Sequence, residues 1–180
     1  MTSVDVTGAS PGWLASGELD RVRRAVPMVY VQAVPVRLDH LGRVTRVGLL
    51  LRAMPDGTIS RAIVSGRVLH NETVREALWR HLTKDLGADS DPQLPASPAP
   101  FTVAEYFPDE RRTGFHDPRQ HAVALVYLVP IAGTCEPAED ALEFTWMTVD
   151  EITGPSVVAA MTSGHERLVR TALAFAQRLP

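Results

Sequence analysis

Residues 66–88, GRVLHNETVREALWRHLTKDLGA, decide the fold of this chain. Gly66 ends a short apolar segment, and residues 72–86 then repeat apolar side chains at the spacing of an α-helix. Gly87 follows at the position where a helix commonly ends. On a helical wheel, one arc carries the aliphatic residues Val74, Leu78, Leu82 and Leu86. The stretch therefore predicts a strand, a short loop and a helix that buries one face.

Two polar residues, His81 and Asp85, lie at one edge of that apolar face. Burial without a partner would be costly, so in one interpretation they pair with each other or with a neighbouring strand. In the other, the glycine, the loop and the helix form a platform for phosphate and metal, because such loops offer free backbone N–H groups. The helical pattern leaves both open. The opposite side of the helix carries Glu72, Glu76 and Arg80. Of these, Glu76 and Arg80 are four residues apart, which is the spacing of an ordinary ion pair.

The segments around this unit alternate between strand and helix patterns. A helical pattern with Ser16 as its N-cap predicts a first helix, which Pro27 ends, and a last helix is predicted over residues 165–179. Strands are predicted over residues 28–38, 44–53, 59–64, 101–107, 121–131 and 142–147, with a hairpin turn at 55–57. This order predicts a flexible tail over 1–11 and a single α/β domain over 12–180.

Composition places the chain among globular proteins. It has 180 residues, of which 45% are hydrophobic and 22% charged, and a net charge of −3. The single cysteine, Cys135, excludes an internal disulfide and a zinc site built from several cysteines. No apolar run reaches the ~20 residues of a membrane span, and no basic run marks a nucleic-acid surface. The N-terminal residues do not resemble a signal peptide, so we expect a cytoplasmic protein that binds neither membranes nor nucleic acids.

The spacing within residues 66–88 matches a known motif. A glycine, a glutamate and an arginine are separated by five and by seven residues, and aliphatic, acidic and glycine positions follow. The matching residues are Gly66, Glu72, Arg80, Leu82, Asp85, Gly87 and Ala88. The pattern resembles the Nudix box, the motif of a superfamily of hydrolases that cleave diphosphates.

The surroundings of the motif agree with this resemblance. Residues 142–152, LEFTWMTVDEI, are similar to the tryptophan-bearing strand and turn near the end of Nudix domains, and the likeness spans residues 28–152. Residues 12–14, 101–107 and 116–121 further suggest a Nudix-like subfamily of unknown function. The resemblance implies an α/β/α sandwich with a mixed central sheet. It also implies hydrolysis of a nucleoside diphosphate linked to another moiety, with Glu72 and Arg80 orienting the box.

The resemblance is incomplete at the metal-binding positions. In Nudix hydrolases three glutamates of the box bind magnesium or manganese, and the corresponding residues here are His81, Lys84 and Asp85. A lysine ammonium has no lone pair and repels a cation. Only Asp85 therefore keeps the chemistry of a metal ligand.

Two arrangements remain open at these positions. In one, magnesium or manganese binds Asp85, the Gly66 carbonyl and a further carboxylate, with Glu105 or Glu143 as candidates. In the other, the only lysine of the chain, Lys84, binds a substrate phosphate directly and supplies part of the charge that the metal gives elsewhere. Metal-free chemistry would be slow, so the second arrangement favours binding over turnover.

A second candidate site, residues 116–121 (HDPRQH), concentrates charge around an Asp-Pro turn. One interpretation is a capped surface loop that enters a strand. In the other, Arg119 binds a phosphate while His116 or His121 acts as a base near neutral pH. Arg67, directly after the motif's glycine, is a further candidate for binding substrate.

The tryptophans are expected to be packing residues. Trp13 and Trp79 are more typical of a core contact than of a platform on which a base stacks. Trp146 follows Phe144 at strand spacing, which predicts that both side chains point to the same side of a strand, into the core.

The sequence supports two functions about equally. The first is a Nudix-type pyrophosphohydrolase, weak or atypical because its metal positions are substituted. The second is a non-catalytic Nudix-like module that binds a nucleotide or nucleotide sugar as a sensor, and a domain with a vestigial pocket is a third. The expected partner is a small molecule that contains phosphate. A homodimer is also expected, since Nudix relatives often form dimers.

Overall fold

A computed structural model describes residues 13–53, 57–112, 114–137, 141–162 and 164–177. The strands are β1 (Met28–Leu38), β2 (Val44–Ala53), β3 (Ile59–Ala62), β4 (Val64–Arg67), β5 (Thr102–Phe107), β6 (Phe115–His116), β7 (Ala122–Pro130) and β8 (Glu143–Thr148). The helices are α1 (Ser16–Ala25), α2 (Val74–Leu86), α3 (Val149–Thr153), α4 (Pro155–Ala160) and α5 (His165–Ala176). The predicted tail over 1–11, part of the hairpin turn at 55–57 and the predicted end of the last helix at 179 lie outside the described residues.

The eight strands form one mixed sheet, in which β3, β2, β1, β7, β5 and β6 follow one another. β1 runs parallel to β7 from the pair Met28 and Ala122 to the pair Val36 and Pro130. On its other edge β1 pairs first with β4 and then, further along, with β2. β2 also pairs with β3 and with β8. Only Ile63 separates β3 from β4. The chain therefore changes its pairing partner there, from β2 to β1, and the sheet divides at this point.

Both faces of the sheet are covered by helices. Along β1, Val31 and Ala33 pack in the cluster that includes the apolar face of α2. Val34 and Val36 pack on the other side with residues of α5. This alternation builds an α/β/α sandwich and confirms the fold class expected from the sequence. Among the described residues, no helix is both long and apolar enough to cross a membrane.

Two predicted boundaries around the motif were wrong. α2 begins at Val74 rather than at residue 72, because Thr73 caps it. The Thr73 hydroxyl accepts from the Glu76 amide at 3.2 Å, and the Glu76 carboxylate accepts from the Thr73 amide at 2.8 Å. The strand predicted over residues 59–64 is divided into β3 and β4 and continues to Arg67, because its two halves pair with different neighbours.

Candidate functional site

The corner between β4 and α2 is held by a pair of charged side chains. Arg80 donates from Nε and Nη2 to the two carboxylate oxygens of Glu72, at 2.6 and 2.8 Å. The same Nη2 donates to the Arg67 carbonyl at 3.0 Å, and Glu72 also accepts from the Leu69 amide at 2.9 Å. The bond from Arg80 holds the pKa of Glu72 below its usual value. This fork joins the end of β4, the loop and the helix.

The fork differs from two expectations. The ion pair predicted between Glu76 and Arg80 is not formed, because Arg80 turns to Glu72 while Glu76 caps the helix. The expected platform of free backbone N–H groups is also reduced. The amides of Leu69 and Thr73 donate to the carboxylates of Glu72 and Glu76. An anion at this corner would therefore rely on side chains more than on the backbone.

His81 lies flat against Gly66. A Cβ added at Gly66 would stand 1.8 Å from Cε1 of the imidazole, so only glycine leaves room for the ring. Nε2 of His81 lies 3.0 Å from the Arg67 carbonyl oxygen, so it is the protonated nitrogen that donates this bond. Burial lowers the pKa of His81, and the nearby charges of Arg80 and Lys84 lower it further. The ring is therefore neutral at pH 7.

Asp85 is paired with an arginine from the sheet. Nη2 of Arg52, near the end of β2, lies 2.5 Å from Oδ2 of Asp85. The Asp85 side chain is only 3% exposed, and that of Arg52 is 24% exposed. Together with the bond from His81, this contact agrees with the interpretation in which both polar residues of the helix pair with neighbouring strands.

Lys84 lies between these groups along the helix and is half-buried. Residues 66–87 contain four cationic side chains and three carboxylates, and Arg52 adds another positive charge from the sheet. Among the described residues, no three His, Cys, Asp or Glu side chains stand close enough to hold a metal ion.

Comparison with known proteins identifies the family. Residues 9–178 match a family described as "Domain of unknown function (DUF4916)". A crystal structure of a possible asymmetric diadenosine tetraphosphate hydrolase from Jonesia denitrificans is 54% identical, with a TM-score of 0.82, over 86% of this chain and 98% of that one. A MutT NUDIX hydrolase from Burkholderia pseudomallei is 21% identical, with a TM-score of 0.58, over 81% of this chain and 98% of that one. The chain belongs to the DUF4916 family of the Nudix superfamily.

A more distant structure carries ligands. It is a bifunctional NMN adenylyltransferase/ADP ribose pyrophosphatase from Francisella tularensis, complexed with AMP and a manganese ion. It is 18% identical to this chain, with a TM-score of 0.55, over 88% of this chain and 46% of that one. Among proteins with curated functions, none matches the chain.

The two other carboxylates proposed for the Nudix box lie away from Asp85. Glu105 is exposed on β5, which two strands, β1 and β7, separate from β4. At the usual strand spacing its backbone stands roughly 14 Å from β4. Glu143 is exposed on β8, where its carboxylate accepts from the Thr145 hydroxyl. On the described residues, neither joins Asp85 in a cluster suited to a metal.

The loop over 116–121 is a capped turn, as one interpretation expected. Asp117 accepts from the Arg119 amide at 3.0 Å and from its guanidinium at 2.9 Å. Gln120 donates to the Tyr30 hydroxyl at 2.9 Å, and Tyr30 is the register partner of Arg67. The loop therefore lies at the same end of the sheet as the box, one strand away.

The two histidines of that loop contact residues of β5 and of the loop that follows it. Nδ1 of His116 lies 3.6 Å from the Glu110 carboxylate. The ring of His121 stacks on Phe107, with the centroids 4.7 Å apart. No described contact joins either ring to Asp85 or to His81.

Packing of the tryptophans was predicted correctly only in part. Trp146 and Phe144 meet edge to face at 5.0 Å and pack on the α2 side of the sheet, as expected. The core positions expected for Trp13 and Trp79 were wrong, since these rings are 52% and 43% exposed. The guanidinium of Arg67 lies 5.9 Å from the centre of the Trp13 ring, as does that of Arg80.

An open groove begins beside Arg80, lined by Leu69, His70, Asn71, Glu72 and Glu76.

Sequence reasoning missed Arg52 and a polar cluster on the other side of the sheet. Gln32 donates to the Tyr106 hydroxyl at 2.8 Å, and His165 accepts from the Ile63 amide at 3.3 Å where the sheet divides. Burial, with a smaller effect of the Arg52 charge, lowers the pKa of His165 to about 4. The only signal for Arg52 was a charge that ends the apolar run LLL of β2.

Proposed function

We propose that the chain acts on a nucleoside diphosphate linked to another moiety, as a Nudix-type pyrophosphohydrolase of weak or atypical activity. The observation that carries this proposal is the fork in which Arg80 joins Glu72, the loop and the Arg67 carbonyl. This fork supports a box in which the loop between β4 and α2 keeps its place, although His81, Lys84 and Asp85 stand where Nudix hydrolases carry glutamates. The 54% identical protein from Jonesia denitrificans, described as a possible asymmetric diadenosine tetraphosphate hydrolase, supports the same reaction class and suggests dinucleoside polyphosphates as substrates.

The charges around the box support an anionic ligand. Two of its positive charges are neutralised, Arg80 by Glu72 and Arg52 by Asp85. Arg67, directly after the glycine of the box, and Lys84, about one helical turn from His81, are the proposed contacts of the phosphate oxygens, while Glu76 and Arg75 lie exposed on α2. In this proposal Gly66 admits the His81 ring, and Arg67 and Lys84 bind the diphosphate.

His81 is the proposed base. Its Nε2 donates to the Arg67 carbonyl, so the neutral ring carries its lone pair on Nδ1. There it accepts a proton from water as the water oxygen bonds to phosphorus and the bridging P–O bond breaks. The lowered pKa of His81 keeps this lone pair available at neutral pH.

The residues at the metal positions do not fit magnesium or manganese. Asp85 already contacts Arg52, His81 donates to a carbonyl, and Lys84 offers no lone pair. The remaining candidates, Glu105 and Glu143, lie on other parts of the sheet. A reaction that lacks a Lewis acid at this place is expected to be slow.

Phosphate release tests the proposal. The purified chain is incubated with diadenosine tetraphosphate, ADP-ribose, UDP-glucose and ATP, each with magnesium, manganese or EDTA. We expect slow release from at least one linked diphosphate, lost in His81→Ala and kept in His40→Ala, an exposed control outside the groove. Absence of turnover with every compound, at enzyme concentrations that detect one event per hour, would refute the hydrolase.

A second function is favoured by the pair between Arg52 and Asp85. A carboxylate that is 3% exposed and already neutralised is suited to holding a structure more than to turnover. The chain would then be a sensor that binds a nucleotide or nucleotide sugar. Ligand-induced shifts of the thermal midpoint without phosphate release would select this function.

A second copy of the chain is the other partner that the resemblance to Nudix hydrolases suggests. We propose a homodimer, which analytical ultracentrifugation at micromolar concentrations tests directly. A single species at the mass of one chain would contradict it.

A further inference from the structure

We infer that the base of the substrate lies on an open apolar strip of the sheet beside the box, and that Glu105 binds an amino group of this base. The strip consists of Val29 on β1, Val123 and Leu125 on β7, and Val103 on β5. The inference rests on the proposed function, since it assumes a ligand that carries a nucleoside. It adds which residues would select that nucleoside.

The register of the sheet places one row of side chains between the box and the strip. Val31, which packs in the cluster with α2, is the register partner of Gly66 on β4 and of Leu125 on β7. Leu125 is in turn the partner of Val103. Partners on neighbouring strands point to the same face of a sheet. The row therefore runs from Gly66, against which His81 lies, to Val103.

A second row on the same face carries the carboxylate. It joins Val29 to Val123 and Val123 to Glu105. Two residues further along β5 and past the start of β7, the rings of Phe107 and His121 stack with their centroids 4.7 Å apart. The strip is therefore bounded by α2 on one side and by these two rings on the other, with Glu105 next to the rings.

Helix α2 leaves this part of the face open. Val31 is 1% exposed, whereas Val29 is 46% and Val103 is 53% exposed. Within the part of the chain that the structure describes, no hydrogen bond or ion pair engages the exposed Glu105 carboxylate. A mainly apolar surface with one polar group beside it is typical of a site for a small molecule.

The size of the strip fits a base better than a protein partner. Two half-exposed valines and two partly covered side chains offer only a small part of the ~800 Å² that each partner buries in a stable protein complex. The strip also continues the row that begins at Gly66. A ligand with its diphosphate beside His81 therefore reaches the strip along one face of the sheet.

The spacing of the strands keeps the phosphates away from Glu105. At the usual strand spacing, Val123 stands roughly 10 Å from β4 and Glu105 roughly 14 Å. A carboxylate would repel phosphate oxygens at short range, but at the far end of the strip it meets the base instead. Because it can only accept hydrogen bonds, its partner is an N–H donor such as an amino group. Adenine carries such a group, and uracil does not.

Nuclear Overhauser effects test the position of the base directly. The chain, with ¹³C-labelled valine and leucine methyl groups, is mixed with ADP in the presence of magnesium. We expect effects between the hydrogens of adenine and the methyl groups of Val29, Val103 and Val123. If ADP binds and its base contacts only methyl groups outside the strip, the inference is wrong.

Calorimetry tests the role of Glu105 with two ligands that differ by one amino group, ADP and purine riboside 5′-diphosphate. We expect the wild-type chain to bind ADP about tenfold more tightly. Glu105→Ala should raise the Kd of ADP to that of the purine compound and leave the latter unchanged. Glu143→Ala, which removes an exposed carboxylate on β8, should change neither. Equal weakening of both ligands by Glu105→Ala would contradict a bond to the amino group.

A neutral polar side chain tests the apolar contact. Val103→Gln should raise the Kd of both compounds about fivefold. Ile59→Gln is the matched control, since Ile59 is 61% exposed on β3 and lies outside the strip. If Val103→Gln leaves both Kd values unchanged and instead breaks a dimer in analytical ultracentrifugation, the strip is covered by a second copy and the inference is overturned.

The outcomes separate this inference from the proposed function. Binding of UDP-glucose without any binding of ADP would overturn the inference and leave the proposed function standing. If neither these compounds nor diadenosine tetraphosphate and ADP-ribose bind, the proposed function fails and the inference fails with it.

Discussion

The two ends of α2 are held in opposite ways. At its start, Thr73 and Glu76 form an exposed capping box, and Glu72 meets Arg80 only eight residues away. At its end, Asp85 is buried against Arg52 from a distant strand. The first end uses contacts within the motif, which a Nudix box keeps. The second end uses contacts across the fold, at the positions where this chain departs from the box. The comparison teaches that the frame of the box can persist while the residue types at its metal-binding positions change.

The largest expected effect is at the buried end. Asp85→Asn leaves the mostly buried Arg52 charge without its carboxylate, so the free energy of unfolding should fall by about 3 kcal/mol. Urea unfolding at pH 7 measures it. Arg52→Leu/Asp85→Leu should lose less than the sum of the two single changes. The exposed control Asp109→Asn should leave the midpoint unchanged, and an equally small effect of Asp85→Asn would break the comparison.

As the pH falls, the free energy of unfolding should decrease first because of His165, which is buried on the other side of the sheet from α2, and only later because of Glu72 at the start of α2. The pKa of His165 is about 4 in the fold, so between pH 6.5 and 4 only the unfolded chain takes up its proton. Stability is therefore present at neutral pH and is lost as the pH falls, by up to about 3 kcal/mol. Glu72, whose pKa is lowered by Arg80, adds a loss only below about pH 4.5.

Urea unfolding at pH 7, 5.5 and 4.5 measures this slope. His165→Gln should flatten it, while the exposed control His70→Gln should keep it. A slope that His165→Gln does not change would show that another group carries the acid sensitivity.

A smaller effect is expected where the helix meets β4. Gly66→Ala would place a Cβ 1.8 Å from the His81 ring, so the ring must move and its bond to Arg67 is lost. We expect a loss of about 2 kcal/mol in the free energy of unfolding. His81→Ala in the same chain should recover much of it, and Gly17→Ala, with open space around it, is the control. Additive effects of the changes at residues 66 and 81 would contradict the contact.

The smallest effect is expected at the exposed end. Thr73→Ala removes the side chain that caps α2, which typically costs about 1 kcal/mol. Thermal unfolding compares it with Asp85→Asn. A loss as large as that of Asp85→Asn would reverse the order of the two ends.

The sequence predicted most of the strands and both long helices that flank the sheet. The signal Thr73-x-x-Glu76 was also present, but the first helical residue was placed at 72 because the apolar period alone does not locate a cap. The division of the predicted strand over 59–64 could not be seen. It depends on which neighbours β3 and β4 pair with, and alternation of side chains is the same in both cases.

What the sequence by itself determined is the strand, loop and helix of residues 66–88 and the change of residue type at His81, Lys84 and Asp85. Periodicity, caps and motif spacing are written within a few neighbouring residues, so they can be read along the chain. Only the tertiary structure decided that Asp85 is neutralised by Arg52 and that His81 rests on Gly66. Those partners meet because the register and the packing of the sheet bring separate segments together, and no local pattern records that meeting.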